Sequence, residues 1–350
     1  MRPFFMSIVS DSNHWMFISS RGGLTAGRKD SESALFPYYS DDKITEASDI
    51  TGSKTIFQVH VNDKILLWEP FSDRYIGTYK TQRNLYKNSF GNKIIYEEIN
   101  HSLGLTFRYQ WNFSHTYGFV KKSILINNNS DEISVTLLDG IQNIMPYGVE
   151  EGLQAIRSNL VDAYKKNELE AEVGIGVFSL SAIIVDRAEP SEALKASVVW
   201  SYGLEDVTYL VSSLQVADFR RGKSIVQEND IRAEKGAYFV STSIVLSSDR
   251  QKTWMIVADV NQTINSIVHT SELIKSKKDI FELVQEDIAL GTKQLFCLNA
   301  SSDALQMTAD KMRNGRHFSN TLFNIMRGGV FDDNYQIEKS DFINYISKAN

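Results

Sequence analysis

The segment Ser19-Ser20-Arg21-Gly22-Gly23-Leu24-Thr25-Ala26-Gly27-Arg28 sets three glycines within six residues between two arginines. Such a run can form a tight loop whose backbone N–H groups face an anion or a sugar hydroxyl, although a plain β-turn is the simpler reading. It is not a phosphate-binding P-loop, because no Gly-Lys-Ser/Thr follows at the required place. Gly174-Ile175-Gly176 is weaker still, since Ser179 stands where a dinucleotide fingerprint needs its third glycine.

Paired carboxylates occur at Asp41-Asp42, Glu97-Glu98, Glu150-Glu151 and Asp332-Asp333. Cleavage of a glycosidic bond needs two carboxyls facing each other across a cleft. Adjacent acids on a strand point to opposite faces, so these pairs read as solvated surface. His14, His60, His101, His115, His269 and His317 show neither i, i+4 nor His-x-His spacing, and no metal site is expected. No Gly-x-Ser-x-Gly elbow is present. No catalytic constellation assembles from these residues, and no cofactor is expected. The single cysteine, Cys297, excludes an intramolecular disulfide; within Leu295-Phe296-Cys297-Leu298 it is expected to be a buried small hydrophobe.

Aromatic side chains are a further resource. Tyr38-Tyr39, Trp68, Trp111 and Trp200 could stack on the apolar C–H face of a pyranose. The alternation around Trp111 demands a buried face, so it is expected in a core. Trp68, followed by Glu69-Pro70 at a strand end, is open to either role.

Positioning these residues falls to two textures that meet near residue 262. Before it the period is two: Leu103, Leu105, Phe107, Tyr109 and Trp111 alternate with Gly104, Thr106, Arg108 and Gln110, which predicts a long strand. Further strands are predicted at Thr55–Val61, Lys64–Trp68, Ile94–Ile99, Phe119–Ile126, Ile133–Leu138, Gly176–Ile184, Leu194–Trp200, Ala237–Leu246 and Thr253–Val260. Turn residues such as Asn62-Asp63, Gly91-Asn92 and Asn127-Asn128-Asn129 separate them. One helix, Gly148 to Leu169, is predicted across a sheet face or edge. After about residue 262 the period becomes 3.6, with helices predicted from Ser271 towards Leu295, from Ser301-Ser302 to Asn314-Gly315, over Phe318–Met326 ending at Gly328-Gly329, and after Ser340. The last helix is still amphipathic at Asn350, which suggests the N-terminal part of a longer protein.

Composition narrows the function classes. The 350 residues carry a net charge of −6 and no basic run, so a nucleic-acid partner is not expected. The apolar stretch at Phe4, Phe5, Met6, Ile8 and Val9 is too short and broken for a secretory signal. No window is long enough to span a bilayer, so no membrane partner is expected and the cytoplasm is the default compartment. The sequons at Asn112, Asn128, Asn261 and Asn299 then read as chance. Ten or so strands without interleaved helices predict a mainly β fold, a large antiparallel two-sheet sandwich over residues 1–262, followed by an α-helical linker over 263–350.

The run Asn13-His14-Trp15-Met16-Phe17-Ile18-Ser19-Ser20-Arg21-Gly22-Gly23 resembles the opening of the cellobiose and chitobiose phosphorylase family and its cyclic-glucan-synthase relatives. There a strand of the type N-x-x-Y-x-V-x-I-[ST] runs into a Gly-rich loop. Here Thr25-Ala26-Gly27-Arg28 replaces that family's Ser-Arg-Trp continuation. Gly140-Ile141-Gln142-Asn143-Ile144-Met145-Pro146-Tyr147-Gly148 is similar to the strand-to-helix passage of their sandwich. The resemblance implies a galactose-mutarotase-like supersandwich that packs in cis on a catalytic (α/α)6 barrel, which acts on an oligosaccharide substrate, and that often contributes to a homodimer interface. In that family the catalytic acid and the phosphate-binding residues lie in the barrel, so no catalytic residue carries over. Gly22, Gly23 and Arg28, with Trp68 as the exposed aromatic, are the residues expected to border the neighbouring active site. The expected function is therefore a non-catalytic region of a glycoside phosphorylase or hydrolase. The alternatives are a stand-alone carbohydrate-binding or mutarotase-type module, in which His101 would converge with Glu97 or Glu98, and a structural interaction domain.

Overall fold

The computed structural model describes residues 4–39, 43–62, 64–156, 158–184, 192–276, 279–302, 304–306, 308–329 and 337–349. The acid pairs Asp41-Asp42 and Asp332-Asp333, and Asp63 of the first predicted turn, lie outside the described residues. In chain order the strands are β1 (Phe5–Ile8), β2 (His14–Ser19), β3 (Leu24–Arg28), β4 (Ala34–Phe36), β5 (Gly52–Val61), β6 (Lys64–Trp68), β7 (Thr81–Lys87), β8 (Ile94–Asn100), β9 (Leu105–Ser114), β10 (Gly118–Asn127), β11 (Ile133–Ile144), β12 (Lys165–Glu170), β13 (Ile175–Leu180), β14 (Ala196–Tyr202), β15 (Thr208–Ser212), β16 (Asp230–Arg232), β17 (Gly236–Leu246) and β18 (Gln251–Gln262). The helices are α1 (Lys43–Glu46), α2 (Glu151–Ile156), α3 (Ser158–Tyr164), α4 (Val216–Arg220), α5 (Ile264–Lys275), α6 (Ile280–Ala300), α7 (Lys311–Gly328) and α8 (Lys339–Ala349).

A nine-stranded sheet, ordered β16-β12-β13-β14-β18-β10-β9-β8-β7, packs on a five-stranded sheet, β15-β17-β11-β5-β6, while β1 to β4 form a third in chain order. The pleat explains which residues meet. In β9, Leu105, Phe107, Tyr109, Trp111 and Phe113 point inward and Arg108 outward. They join Trp254 of β18, Phe57 of β5, Leu137 of β11 and Tyr238 of β17 in one core, which Met16, Ile18 and Leu24 of the small sheet extend. The outer face of the nine-stranded sheet is also apolar: Val120, Trp200 and Val257 are covered by Ile280, Val284 and Ile288 of α6. The strands give way to helices between Gln262 and Ile264, and α6 is a layer of the sandwich.

Several predicted elements differ in the structure. The helix expected over Gly148–Leu169 is two short helices, α2 and α3, followed by β12. Burial alternates along Lys165–Leu169, and pairing of Leu169 with Gly176 and Asn167 with Phe178 draws this stretch into the large sheet. The helix expected from Ser271 to Leu295 is interrupted, and α6 starts afresh where the Asp279 side chain accepts from the Glu282 N–H. The two helices expected between Ser301 and Gly328 are one, α7, capped by Asp310 and running through Gly315. A glycine inside a helix costs only about 1 kcal/mol, too little to stop it. Cys297 is exposed, not buried. It lies two residues, about 200° of helical rotation, beyond the buried Leu295.

Candidate functional site

A cavity of about 600 Å³ opens beside β7, β8 and β9 of the large sheet. Ser20, Arg21 and Gly22 of the β2–β3 turn form one wall; Ser48, Asp49 and Ser53 to Thr55 form a second. Pro70 to Arg74, after β6, and Arg83 to Leu85 of β7 complete the rim, and Tyr96 and Tyr109 form the floor.

The Gly-rich run is a tight hairpin connection. Gly22 N–H donates to Ser19 O at 2.9 Å, Ser19 N–H to Gly23 O at 2.7 Å, and Ser20 N–H to Phe4 O at 2.9 Å. The amides of Ser20 and Gly22 are therefore already engaged. Glycine is required for space as well as for conformation. Gly22 has φ +88°, and a Cβ there would lie 2.8 Å from the Tyr109 hydroxyl oxygen; a Cβ on Gly23 would lie 1.9 Å from the Ile44 carbonyl oxygen. The bare Gly22 thus leaves room for the Tyr109 hydroxyl beside it, where Tyr109, though buried, lines the cavity.

On the floor, the Tyr96 and Tyr109 rings stack with centroids 4.8 Å apart. Tyr96 donates its hydroxyl to Ser19 O at 2.6 Å. Burial raises both phenols well above their ordinary range, so both stay protonated.

The carboxylates around the cavity are all paired with cations. Asp49 takes Lys54 and Arg74. Glu69 takes Lys54 at 3.0 Å and both Nε and Nη2 of Arg220 at 2.8 Å. Asp73 takes Arg83 at 3.0 Å. Glu98 accepts from Arg83 Nε at 2.7 Å, from Trp68 Nε1 at 2.8 Å and from the Phe71 N–H at 2.8 Å. Burial alone would raise Asp49 and Glu69. The hydrogen bonds and charges of Lys54, Arg74 and Arg220 outweigh it and hold both below the usual carboxylate range. An acid held this way is neither a protonated donor nor an uncommitted base near neutral pH.

Of the residues expected at the site, Gly22 lines the cavity and Gly23 packs behind it against Ile44. Arg28 lies elsewhere. At the far end of β3, its Nε meets Asp259 Oδ1 and His14 Nε2, each at 2.9 Å, and its Nη2 donates to His115 O at 2.9 Å. Four residues of strand, about 13 Å, separate it from the turn. Trp68 also departs from expectation. It is 2% exposed, packs on Phe57 with centroids 5.2 Å apart, and only borders a smaller cavity of about 390 Å³ beside Glu69, so no ring face is free for a sugar. Trp111 and Trp200 are buried. His101 is exposed in the turn after β8. Glu98 turns inward to Trp68, while Glu97, on the opposite face of the strand, takes Arg108, so the three do not share a cleft. Sequence reasoning did not single out Arg21 or Tyr109, although Arg21 stands at the tip of the very turn it identified. No group of three or more His, Cys, Asp or Glu able to hold a metal occurs among the described residues, and no described helix is long and apolar enough to cross a membrane.

The fold defines the class: a mainly β, antiparallel two-sheet sandwich with helices at its C-terminal end. In sequence, residues 331–350 match glycoside hydrolase family 149 insertion domain 1. Among solved structures, a bacterial glucoamylase complexed with acarbose is similar over 90% of this chain and 41% of its own, with 7% identity and a TM-score of 0.50. A protein from the human microbiome assigned as a kojibiose phosphorylase is similar over 76% of this chain and 30% of its own, with 11% identity and a TM-score of 0.43. An aldose epimerase homologue from C. elegans is similar over 75% of this chain and 100% of its own, with 7% identity and a TM-score of 0.43. At 7% identity the likeness to the glucoamylase is one of fold alone. The chain spans less than half the length of the glucoamylase. No curated protein matches it in sequence.

Proposed function

We propose that this chain is the non-catalytic sandwich region of a carbohydrate-active enzyme, a glycoside phosphorylase or hydrolase acting on glucosides. In this reading the sandwich packs on a catalytic (α/α)6 barrel in cis, in the cytoplasm, and the β2–β3 turn borders the substrate entrance. The observation that carries it is the match of residues 331–350 to a glycoside hydrolase insertion domain, directly after a supersandwich and its helices. The two carboxylates that line the cavity, Asp49 and Asp73, are each held by cations, which supports a role in binding and shaping over one in acid–base chemistry.

The test is to assay the protein encoded by the whole reading frame, beside the 350-residue chain, for release of glucose or glucose phosphate from gluco-oligosaccharides. Activity in the whole protein, none in the chain, and a raised KM on Arg21→Ala are expected. Turnover by the chain alone, or a whole protein inactive on every glucoside, would overturn the reading.

A further inference from the structure

The cavity is uneven in charge. Arg21, Lys54, Arg74 and Arg83 line it against Asp49 and Asp73. Three of the four cations are answered: Lys54 by Asp49 and Glu69, Arg74 by Asp49, and Arg83 by Asp73 and Glu98. Arg21 is exposed and forms no hydrogen bond or ion pair among the described residues. Its guanidinium presents a planar fork of donors, whose geometry matches the two oxygens of a carboxylate or phosphate.

The floor supplies the complementary half of a site. Tyr109 lines the cavity, and its hydroxyl lies against Gly22, is protonated, and has no hydrogen-bond partner among the described residues. Its ring is fixed by stacking on Tyr96 and by the edge of Phe71, with centroids 5.3 Å apart. A rigid donor on an aromatic floor, beneath a rim carrying a spare cation, suits a ring with hydroxyls and one negative group.

We infer that this cavity binds a hexose bearing a single anionic substituent, phosphate or carboxylate, with Arg21 holding the anion and the Tyr109 hydroxyl donating to a sugar oxygen. The volume of about 600 Å³ lies within the ordinary range for small-ligand sites. The inference does not rest on the chain being part of a larger enzyme, since the same cavity would serve a free-standing module.

The test is calorimetric titration of the 350-residue chain with glucose 6-phosphate, glucuronate, glucose and inorganic phosphate, at low and at high salt. At least one anionic sugar should bind about tenfold or more tighter than glucose and than inorganic phosphate, with an affinity that falls as salt rises. Preference for glucose 6-phosphate would identify phosphate as the substituent, and preference for glucuronate would identify carboxylate. Arg21→Ala should abolish the preference over glucose, and Arg21→Lys should restore part of it. Tyr109→Phe removes an oxygen that has no internal partner, so it should fold with an unchanged circular dichroism spectrum and bind the anionic sugar several-fold more weakly. Equal affinity for glucose and both anionic sugars, inorganic phosphate binding as tightly as the sugar phosphate, no binding by the wild type, or an unaltered preference in Arg21→Ala would each overturn the inference.

Discussion

Lys121 of β10 and Asp139 of β11 form an ion pair between the two large sheets, with neither side chain exposed. Asp139 Oδ1 also accepts from Thr55 Oγ1 at 2.6 Å, and its Oδ2 accepts from Ser123 Oγ at 3.0 Å and Trp254 Nε1 at 2.7 Å. The carboxylate is thus surrounded by donors, which offsets its desolvation. Lys121 Nζ also lies 5.7 Å from the Tyr109 ring centroid, so the pair sits directly beneath the cavity floor.

Removing one partner leaves a buried charge uncompensated. Lys121→Met should therefore lose about 3–5 kcal/mol in urea unfolding. The double variant Lys121→Met/Asp139→Leu should recover much of that loss, because it replaces both charges by apolar volume. A single variant as stable as the wild type would show that the pair is not holding the sheets together.

Arg28 stands between two groups that titrate in opposite senses. Burial, with the charges of Arg28 and His115, lowers His14 from 6.5 to about 2. Burial raises Asp259 from 3.8 to about 6, with Arg28 pulling the other way. Below about pH 6.5 the unfolded state protonates His14 and the folded state does not, so this contribution falls as pH falls. Asp259 is protonated first in the folded state, so its contribution is present at low pH and is lost as pH rises from about 4 through 6. The two slopes oppose each other between about pH 4 and 6. His14→Gln should therefore gain stability on acidification across that window, and Asp259→Asn should lose it, each by up to about 1.4 kcal/mol per pH unit. Urea midpoints measured across the window check this, and slopes of the same sign in both variants would contradict it.

Trp68 is a core residue whose indole N–H satisfies Glu98. Trp68→Phe should cost about 1–3 kcal/mol through the bond lost at a buried carboxylate. It should leave sugar affinity unchanged in the same titrations. Loss of sugar affinity at unaltered stability would contradict the burial of the ring.

The strands were legible where one face is apolar and the other is not. β9 shows this best, since Phe107, Tyr109 and Trp111 alternate with Arg108 and Gln110. β12 was not legible. Lys165, Asn167 and Leu169 face inward on an otherwise polar strand, and the apolar helical spacing of Val149 to Tyr164 ran on into it. The turn at Gly22-Gly23 was visible as a glycine pair. Which of its two arginines faces the cavity was not, because that depends on how far β3 runs before it meets Asp259. Trp68 and Cys297 fail in opposite directions for a shared reason. A strand-end tryptophan is buried against Phe57 and its N–H is taken by Glu98 of β8, and a cysteine in an apolar run faces outward because α6 turns Leu295 to Phe318 and Leu322; none of these partners is adjacent in sequence.

Asp49 and Asp73 of the cavity, and Glu69 and Glu98 beside it, are each held by cations, so the proposed binding involves no acid–base chemistry. The most direct measurement is the rate at which the 350-residue chain interconverts the anomers of glucose and of glucose 6-phosphate near neutral pH. The expected rate equals that in buffer alone. A rate above buffer that disappears in Asp49→Asn would contradict that.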